Sequence, residues 1–409
     1  MTNELKNVPE LRFPEFDGEW EEKKIGELSQ KTISGGTPRT SKLEFWNGDI
    51  PWIQSSDLSM NKLYIDSSNK SITEEAIDNS SAKIIPAKSI AIVTRVGVGK
   101  LAFVDFKYST SQDFISLANL IFDTNFSIYS LYNKIKIISK NLQGTSIKGI
   151  TKNELLNTVM LMPLDIVEQQ KIGEFFSKLD RQIELEEQKL AKLEEQKKGY
   201  MQKIFSQELR FKDENGNEYP EWEEKTLEEI ANYRRGSFPQ PYGNKEWYDD
   251  INGEPFVQVY DVSDNMKLNN ETKQKISEKA KPKSVKGFKG DIIVTLQGSI
   301  GKVAILQYDA YIDRTLLLIN SFKEPVNKDY FKYILYLLFL IEKEKAPGGT
   351  IKTITKSVLS NFTIQLPLLE EQEKIGKFFK QIDNFIDKQS IKIESLKERK
   401  QGLLQKMFI

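Results

Sequence analysis

Two segments of the chain end in Gly-Lys and carry side chains with nucleic-acid chemistry: Thr94-Arg95-Val96-Gly97-Val98-Gly99-Lys100 and Leu296-Gln297-Gly298-Ser299-Ile300-Gly301-Lys302. Glycine lets backbone amides approach a phosphate, Lys100 and Lys302 add charge, and Arg95 or Gln297 has the donor pattern for a base edge. Arginine suits guanine and glutamine suits adenine. Thr94, Gly97 and Ser299 belong to the same candidate surface. A third pair of loops, Gln143 to Lys148 and Pro347 to Lys352, offers Gly144, Thr145, Ser146 and Lys148 in the first copy and Gly349, Thr350 and Lys352 in the second. Arg234 and Arg235 add a basic pair. All of these also suit hairpin tips with solvated side chains.

A nucleotide-triphosphate reading fails on spacing. Neither Gly-Lys segment has the P-loop interval, and an apolar residue, Leu101 or Val303, follows the lysine where a magnesium-binding Ser or Thr is required. Catalysis by the chain alone is equally hard to build. With no cysteine and no histidine, thiolate and imidazole chemistry are unavailable. No Pro-Pro pair supplies the Asn/Asp-Pro-Pro-aromatic tetrapeptide of adenine methylation, and no Gly-x-Gly-x-x-Gly fingerprint is present. Asp113 and Asp313 have no base or metal-ligand cluster near them in sequence, so structural roles are expected. Lys and Arg total 59 against 59 Asp and Glu, which speaks against uniform coating of nucleic acid but not against a local basic groove.

The elements that must position these loops come in duplicate. Pro51-Trp52-Ile53-Gln54 returns as Pro255-Phe256-Val257-Gln258, and the runs 90–94 and 291–295 lead through the Gly-Lys loops to return strands at 101–104 and 303–306. Each reads as a β-hairpin with an exposed tip. Thr151 and Thr355 are placed to cap short helices after the third loops. Glu168-Gln169-Gln170-Lys171-Ile172-Gly173-Glu174-Phe175-Phe176 then returns as Glu371-Gln372-Glu373-Lys374-Ile375-Gly376-Lys377-Phe378-Phe379, each opening a long helix.

Steps of four and three residues from Ile172 pass through Phe176, Leu179, Ile183, Glu186, Leu190, Leu193, Lys197, Tyr200 and Ile204, and from Ile375 through Phe379, Ile382, Ile386, Gln389, Ile393, Leu396, Lys400, Leu403 and Met407. This is a heptad seam, and its polar breaks match: Glu186 with Gln389, Lys197 with Lys400. These are the expected register markers. The expected fold is α+β: a β-rich domain at 1–165, a helix at 166–207, a second β-rich domain at 208–368 and a helix at 369–409, the helices pairing as an intramolecular antiparallel coiled coil. Pairing would give a pseudo-two-fold dumb-bell whose rod, at about 1.5 Å per residue, is about 50 Å long. No apolar run reaches the roughly 18 residues of a membrane span, and Met1 to Glu10 lacks a signal-peptide pattern, so a cytoplasmic protein is expected.

A tandem repeat running from Trp-Glu through Ile-Pro-Trp-Ile-Gln and Gly-Lys loops to Leu-Pro and Glu-Gln-x-Lys-Ile-Gly-x-Phe-Phe resembles the DNA-specificity subunit of type I restriction–modification systems. The resemblance implies a non-catalytic reader of double-stranded DNA. Two target-recognition domains each bind half of a bipartite sequence, and the helices set the spacing. On this reading Gln169, Ile172, Phe176, Leu179, Ile183 and Leu190, with Gln372, Ile375, Phe379, Ile382, Ile386 and Ile393, serve the coiled coil and partner docking. The resemblance implies two modification (methyltransferase) subunits supplying S-adenosylmethionine and two restriction subunits using ATP and Mg, with no cofactor or metal on this chain. The residues alone also allow a two-headed protein adaptor that never touches DNA.

Overall fold

The computed structural model describes residues 7–142, 149–345, 354 and 356–409. The chain forms two compact units, Met1–Gln188 with Ile391–Ile409, and Lys189–Ser390. Compactness therefore groups the chain differently from the four sequence-order blocks: each unit takes part of both long helices. Antiparallel pairing is the reason, because it lays the end of one helix beside the start of the other.

In the first unit the order is β1 (Glu21–Lys24), β2 (Ser29–Ser34), β3 (Trp46–Ile53), β4 (Tyr64–Ile65), β5 (Lys70–Ile72), α1 (Glu74–Asp78), β6 (Ser89–Val93), β7 (Leu101–Val104), β8 (Ser109–Thr110), β9 (Phe114–Leu120), α2 (Thr124–Leu142), α3 (Lys152–Asn157) and β10 (Val159–Met162), leading into α4 (Ile166–Phe205). Its main sheet has the order β2-β9-β6-β7-β4, a smaller one β5-β3-β8, and β1 pairs with β10. The second unit has β11 (Glu223–Thr226), α5 (Leu227–Ile230), β12 (Ala231–Arg235), β13 (Glu254–Val257), β14 (Gln274–Ile276), β15 (Val285–Gly287), β16 (Ile292–Thr295), β17 (Val303–Ile305), β18 (Ala310–Ile312), β19 (Leu316–Phe322), α6 (Lys328–Lys345), α7 (Lys356–Ser360), β20 (Thr363–Leu366) and α8 (Leu369–Met407). Its sheets are β12-β19-β16-β17, β14-β13-β18-β15 and β11-β20.

The β-branched run of β6 is buried at every position because both faces of the main sheet are covered. Alternate side chains go to opposite cores: Ile90, Ile92 and Leu117 meet α2, while Ala91, Val93 and Ala118 meet the layer around Ile53 and Tyr108. The second unit repeats the division, with Ile292 and Val294 on the α6 side and Ile293 and Ala304 on the other. The hairpins read from sequence are present, β6 with β7 and β16 with β17, both antiparallel.

The repeated nonapeptide turns inward. Glu168 accepts hydrogen bonds from Arg12 Nε at 2.7 Å and Trp20 Nε1 at 3.3 Å, and Gln169 accepts from the Asp123 amide at 3.0 Å while donating to Pro163 O at 2.8 Å. In the second unit Glu371 takes Arg210 Nη2 at 2.7 Å and Trp222 Nε1 at 3.0 Å, and Gln372 joins the Asn327 amide to Pro367 O. Gly173 is required by approach: a Cβ there would lie 2.6 Å from the Phe126 amide nitrogen, and one at Gly376 would lie 2.4 Å from Asn327 Oδ1. Ile172, Phe176, Ile375 and Phe379 are fully buried in the globular cores. The motif is thus a clamp that fastens each long helix to its own unit. Gln169, Ile172, Phe176, Gln372, Ile375 and Phe379 are buried inside their units, Phe176 meeting Phe408 and Phe379 meeting Phe205 at the end of the opposite helix.

Farther along, the helices pair as expected. Leu179, Ile183 and Ile393 are buried, and Leu190, Ile382 and Ile386 half-buried. The directions oppose: in the first unit Asp180 meets Lys400 and Glu186 meets Lys392, and in the second Lys197 meets Asp383. Three of the polar breaks therefore take part in register within their units, Lys400 and Lys197 through aspartates of the other helix and Glu186 through Lys392. The seam also drifts from its sequence reading. Tyr200 is 40% exposed and Met201 takes the buried place, since a 3.6-residue helix rotates about 20° per heptad against a 3.5-residue seam.

Each helix ends in a core. Leu404 and Met407 of α8 and Phe408 just beyond it pack in the first unit, with the Phe408 ring 5.6 Å from Phe126 and 5.7 Å from Phe176. Met201 and Ile204 of α4 do the same in the second, and Phe205 stacks on Tyr330 at 5.6 Å. At the start of α4, Asp165 caps the Val167 amide at 2.8 Å. Thr151 caps α3 in a capping box with Glu154, as its spacing predicts. Thr355 lies outside the described residues.

Candidate nucleic-acid interface

At one edge of the first unit the ends of β3, β6 and β8 converge. The Ser111 amide bonds to Ile53 O at 3.0 Å, Thr94 N to Asp113 O at 2.7 Å, and Ile150 N to Thr94 O at 2.7 Å. The feet of the Gly-Lys loop and of the third loop are therefore adjacent. Gly149 permits this, because a Cβ there would sit 2.6 Å from Thr94 O. Gly97 and Gly99, with φ of +93° and +108°, turn the chain at the tip.

Arg95 and Gly97 are exposed at this rim, as expected. Two other candidates are not free. Thr94 is 5% exposed and its hydroxyl donates to Asp113 O at 3.0 Å, so it is part of the rim's frame. Lys100 folds back to donate to Ser55 O at 2.8 Å, tying the loop to the segment after β3. Gly144, Thr145, Ser146 and Lys148 lie outside the described residues.

The second unit builds the same rim. Asp313 N bonds to Val257 O at 3.1 Å and Leu296 N to Thr315 O at 2.8 Å. Ser299 is exposed, Gln297 half-buried, and Lys302 is held at 3.0 Å by Asp264, which neutralises the charge expected there. Arg234 and Arg235 are exposed at the end of β12; Arg235 donates to Ile354 O at 2.7 Å and so anchors the foot of the third loop. Gly349, Thr350 and Lys352 lie outside the described residues.

A polar and aromatic network absent from the sequence reading fills this rim. Tyr242 donates to Asp313 Oδ2 at 2.9 Å, Gln258 Nε2 donates to the Tyr242 hydroxyl, and Tyr260 donates to Gln258 Oε1. Burial, and then the charge of Asp313, push the Tyr242 phenol above its ordinary range; burial, and then Asp261, push Tyr260 up to about 12. Both keep their protons at neutral pH. Asp313 is thus a structural acceptor, the role expected of it. The Arg314 guanidinium lies 5.3 Å over the Tyr242 ring. The run Phe238-Pro239-Gln240-Pro241-Tyr242 was the local signal for a rigid aromatic segment here.

Exposed apolar side chains occur at the helix starts, Leu164, Ile166 and Val167 beside the first clamp and Leu368 and Leu369 beside the second, and farther along the helices at Leu185, Tyr200, Phe385 and Ile391. Among the described residues no helix is long and apolar enough to cross a membrane.

Comparison with known proteins gives the following. The model of the type I restriction modification DNA specificity domain matches residues 17–195 and again 219–398. The EcoR124I/EcoR124II specificity subunit of Escherichia coli is 36% identical over 181 residues, 42% of this chain and 43% of that relative, so the match spans less than half of the relative's length. The MjaVIII specificity subunit of Methanocaldococcus jannaschii is 28% identical over 98% of this chain and 94% of its own. Among solved structures, the type I restriction–modification S subunit from M. genitalium superposes with a TM-score of 0.60 at 17% identity, over 98% of this chain and 99% of that one, which shows a shared fold.

Proposed function

The chain belongs to the type I restriction–modification DNA specificity family, and on that premise we propose that its two units read the two halves of a split duplex-DNA target. The observation that carries this is the repeated rim. Both units gather the ends of equivalent strands and the feet of two loops at one edge, over sheets buried on both faces, so the loop tips stand on a rigid base. Such placement suits direct readout, which needs donors fixed to within a hydrogen bond's reach.

The helices act as spacer and as the docking site for partners. With the clamp residues turned inward, the apolar surface available to modification subunits is the outer side of the helices, where Ile166, Val167 and Leu369 at their starts and Phe385 and Ile391 farther along are exposed. Two modification and two restriction subunits complete the complex, and S-adenosylmethionine, ATP and Mg belong to them. Methyl transfer by the complex, assayed on a library of randomised duplexes, tests the reading. A split recognition sequence with a fixed gap is expected. Failure of the complex to bind duplex DNA with modification subunits present would overturn it.

A further inference from the structure

We propose that Gln112 and Arg314 are equivalent base-reading residues, Gln112 selecting an adenine in one half of the target and Arg314 a guanine in the other, an inference that rests on the DNA reading proposed above. Each stands at the apex of a four-residue turn joining a short strand to the long central one. Ser111-Gln112-Asp113-Phe114 is closed by Phe114 N bonding to Ser111 O at 3.3 Å, and Asp313-Arg314-Thr315-Leu316 by Leu316 N bonding to Asp313 O at 3.0 Å. The turns are fastened identically. Ser111 and Asp313 donate their amides to Ile53 O and Val257 O, and Asp113 and Thr315 accept at their carbonyls from Thr94 and Leu296.

Equivalence in backbone bonding is joined by a difference in side-chain chemistry. Ser111, Phe114, Asp313 and Leu316 are buried, whereas Gln112 and Arg314 are exposed, so each turn presents one long polar side chain on a fixed root. The rim lysines have partners within their units, Lys100 the Ser55 carbonyl and Lys302 the exposed Asp264 carboxylate. At Arg314, by contrast, Tyr242 and Thr315 take up the Asp313 carboxylate, and the guanidinium rests over the Tyr242 ring. A guanidinium braced on an aromatic face keeps its fork of donors available. Arginine pairs bidentately with guanine O6 and N7, and glutamine with adenine N6 and N7. The same turn therefore carries a different letter in each unit.

The test uses the full chain assembled with its modification subunits and a pool of duplexes randomised at every position, with methylated products sequenced. Arg314→Gln should lower methylation of duplexes carrying the selected guanine by about ten- to a hundredfold and favour adenine at that single position, leaving the other half unchanged. Gln112→Arg should do the converse in the other half. Arg314→Lys, which keeps the charge and loses the fork, should relax that position. An unchanged recognition sequence in the swaps, while the unsubstituted complex methylates a split target, overturns this inference and leaves the DNA reading standing. A uniform loss across all sequences marks a phosphate contact and also overturns it. If the unsubstituted complex binds no duplex, both fall.

Discussion

Lys197 on α4 holds the Asp383 carboxylate on α8 at 2.7 Å, with both side chains largely buried. Tyr333 donates to the same carboxylate and Lys332 lies 3.3 Å away. The first unit has the counterpart: Lys400 meets Asp180, which accepts from Tyr129 at 2.7 Å. In each unit a seam lysine from one helix is received by an aspartate of the other and a tyrosine of the globular domain, so helix register and domain docking are fixed together.

Asp383→Ala leaves two cations and a phenol without their acceptor. It should lower the stability of the second unit by about 3 kcal/mol, since removing one member of a buried pair strands the other. Replacing Lys197 by Met together with Asp383 by Leu removes one of the stranded cations and should cost less, while Lys332 keeps Asp329 at 3.9 Å and the Tyr333 hydroxyl still loses its acceptor. Denaturant titration of the single and double variants measures the contrast.

Burial alone would raise the Asp383 carboxyl; Lys197, then Tyr333 and Lys332, outweigh it and hold the group below the usual carboxylate range. A depressed folded value stabilises above the unfolded value of about 3.9 and is lost as pH falls through the lower folded value. Thermal midpoints should therefore decline below about pH 4. Asp383→Asn, already lacking the contribution, should show a shallower decline over that window.

Two helical glycines should respond to alanine with opposite signs. Gly199 has nothing within 4 Å of an added Cβ, so Gly199→Ala should stabilise by up to about 1 kcal/mol through helix propensity. Gly173→Ala gains the same propensity and drives a methyl into the Phe126 backbone. Overpacking of about 1–3 kcal/mol should dominate there. Calorimetry of the two variants decides it.

Phe408→Ala should destabilise the first unit by about 3–5 kcal/mol and leave protection of the second unit's amides unchanged. Phe205→Ala should do the reverse, by less, because Phe205 is only partly buried. Hydrogen exchange resolved by peptide distinguishes the units.

Much of this architecture was legible in the chain. Repeated apolar spacing identified both long helices, and β-branched runs located the central hairpins. What periodicity could not supply was the partner of each face: Ile172, Phe176, Ile375 and Phe379 follow heptad spacing yet bury in globular cores, because Gly173 and Gly376 bring the helix starts against α2 and α6. Glu186 and Lys197 stood out as interruptions, but their acceptors and donors lie about two hundred residues away. The interface was less legible still. Lys100 and Lys302 had the right type at the right place, and only the fold showed them engaged by Ser55 and Asp264. Gln112 and Arg314 belong to no motif; they emerge when backbone bonds rather than residue types are matched.

The burial of Leu404, Met407 and Phe408 against Trp20 and Phe126 has a consequence for synthesis. Translation at about 5–20 residues per second exposes the first unit's sheet and α2 for tens of seconds before the residues that seal them exist. The second unit, Lys189–Ser390, has every residue of its core by then. The unit that leaves the ribosome first is thus the last to be completed, its core open until Ile391–Ile409 has been made.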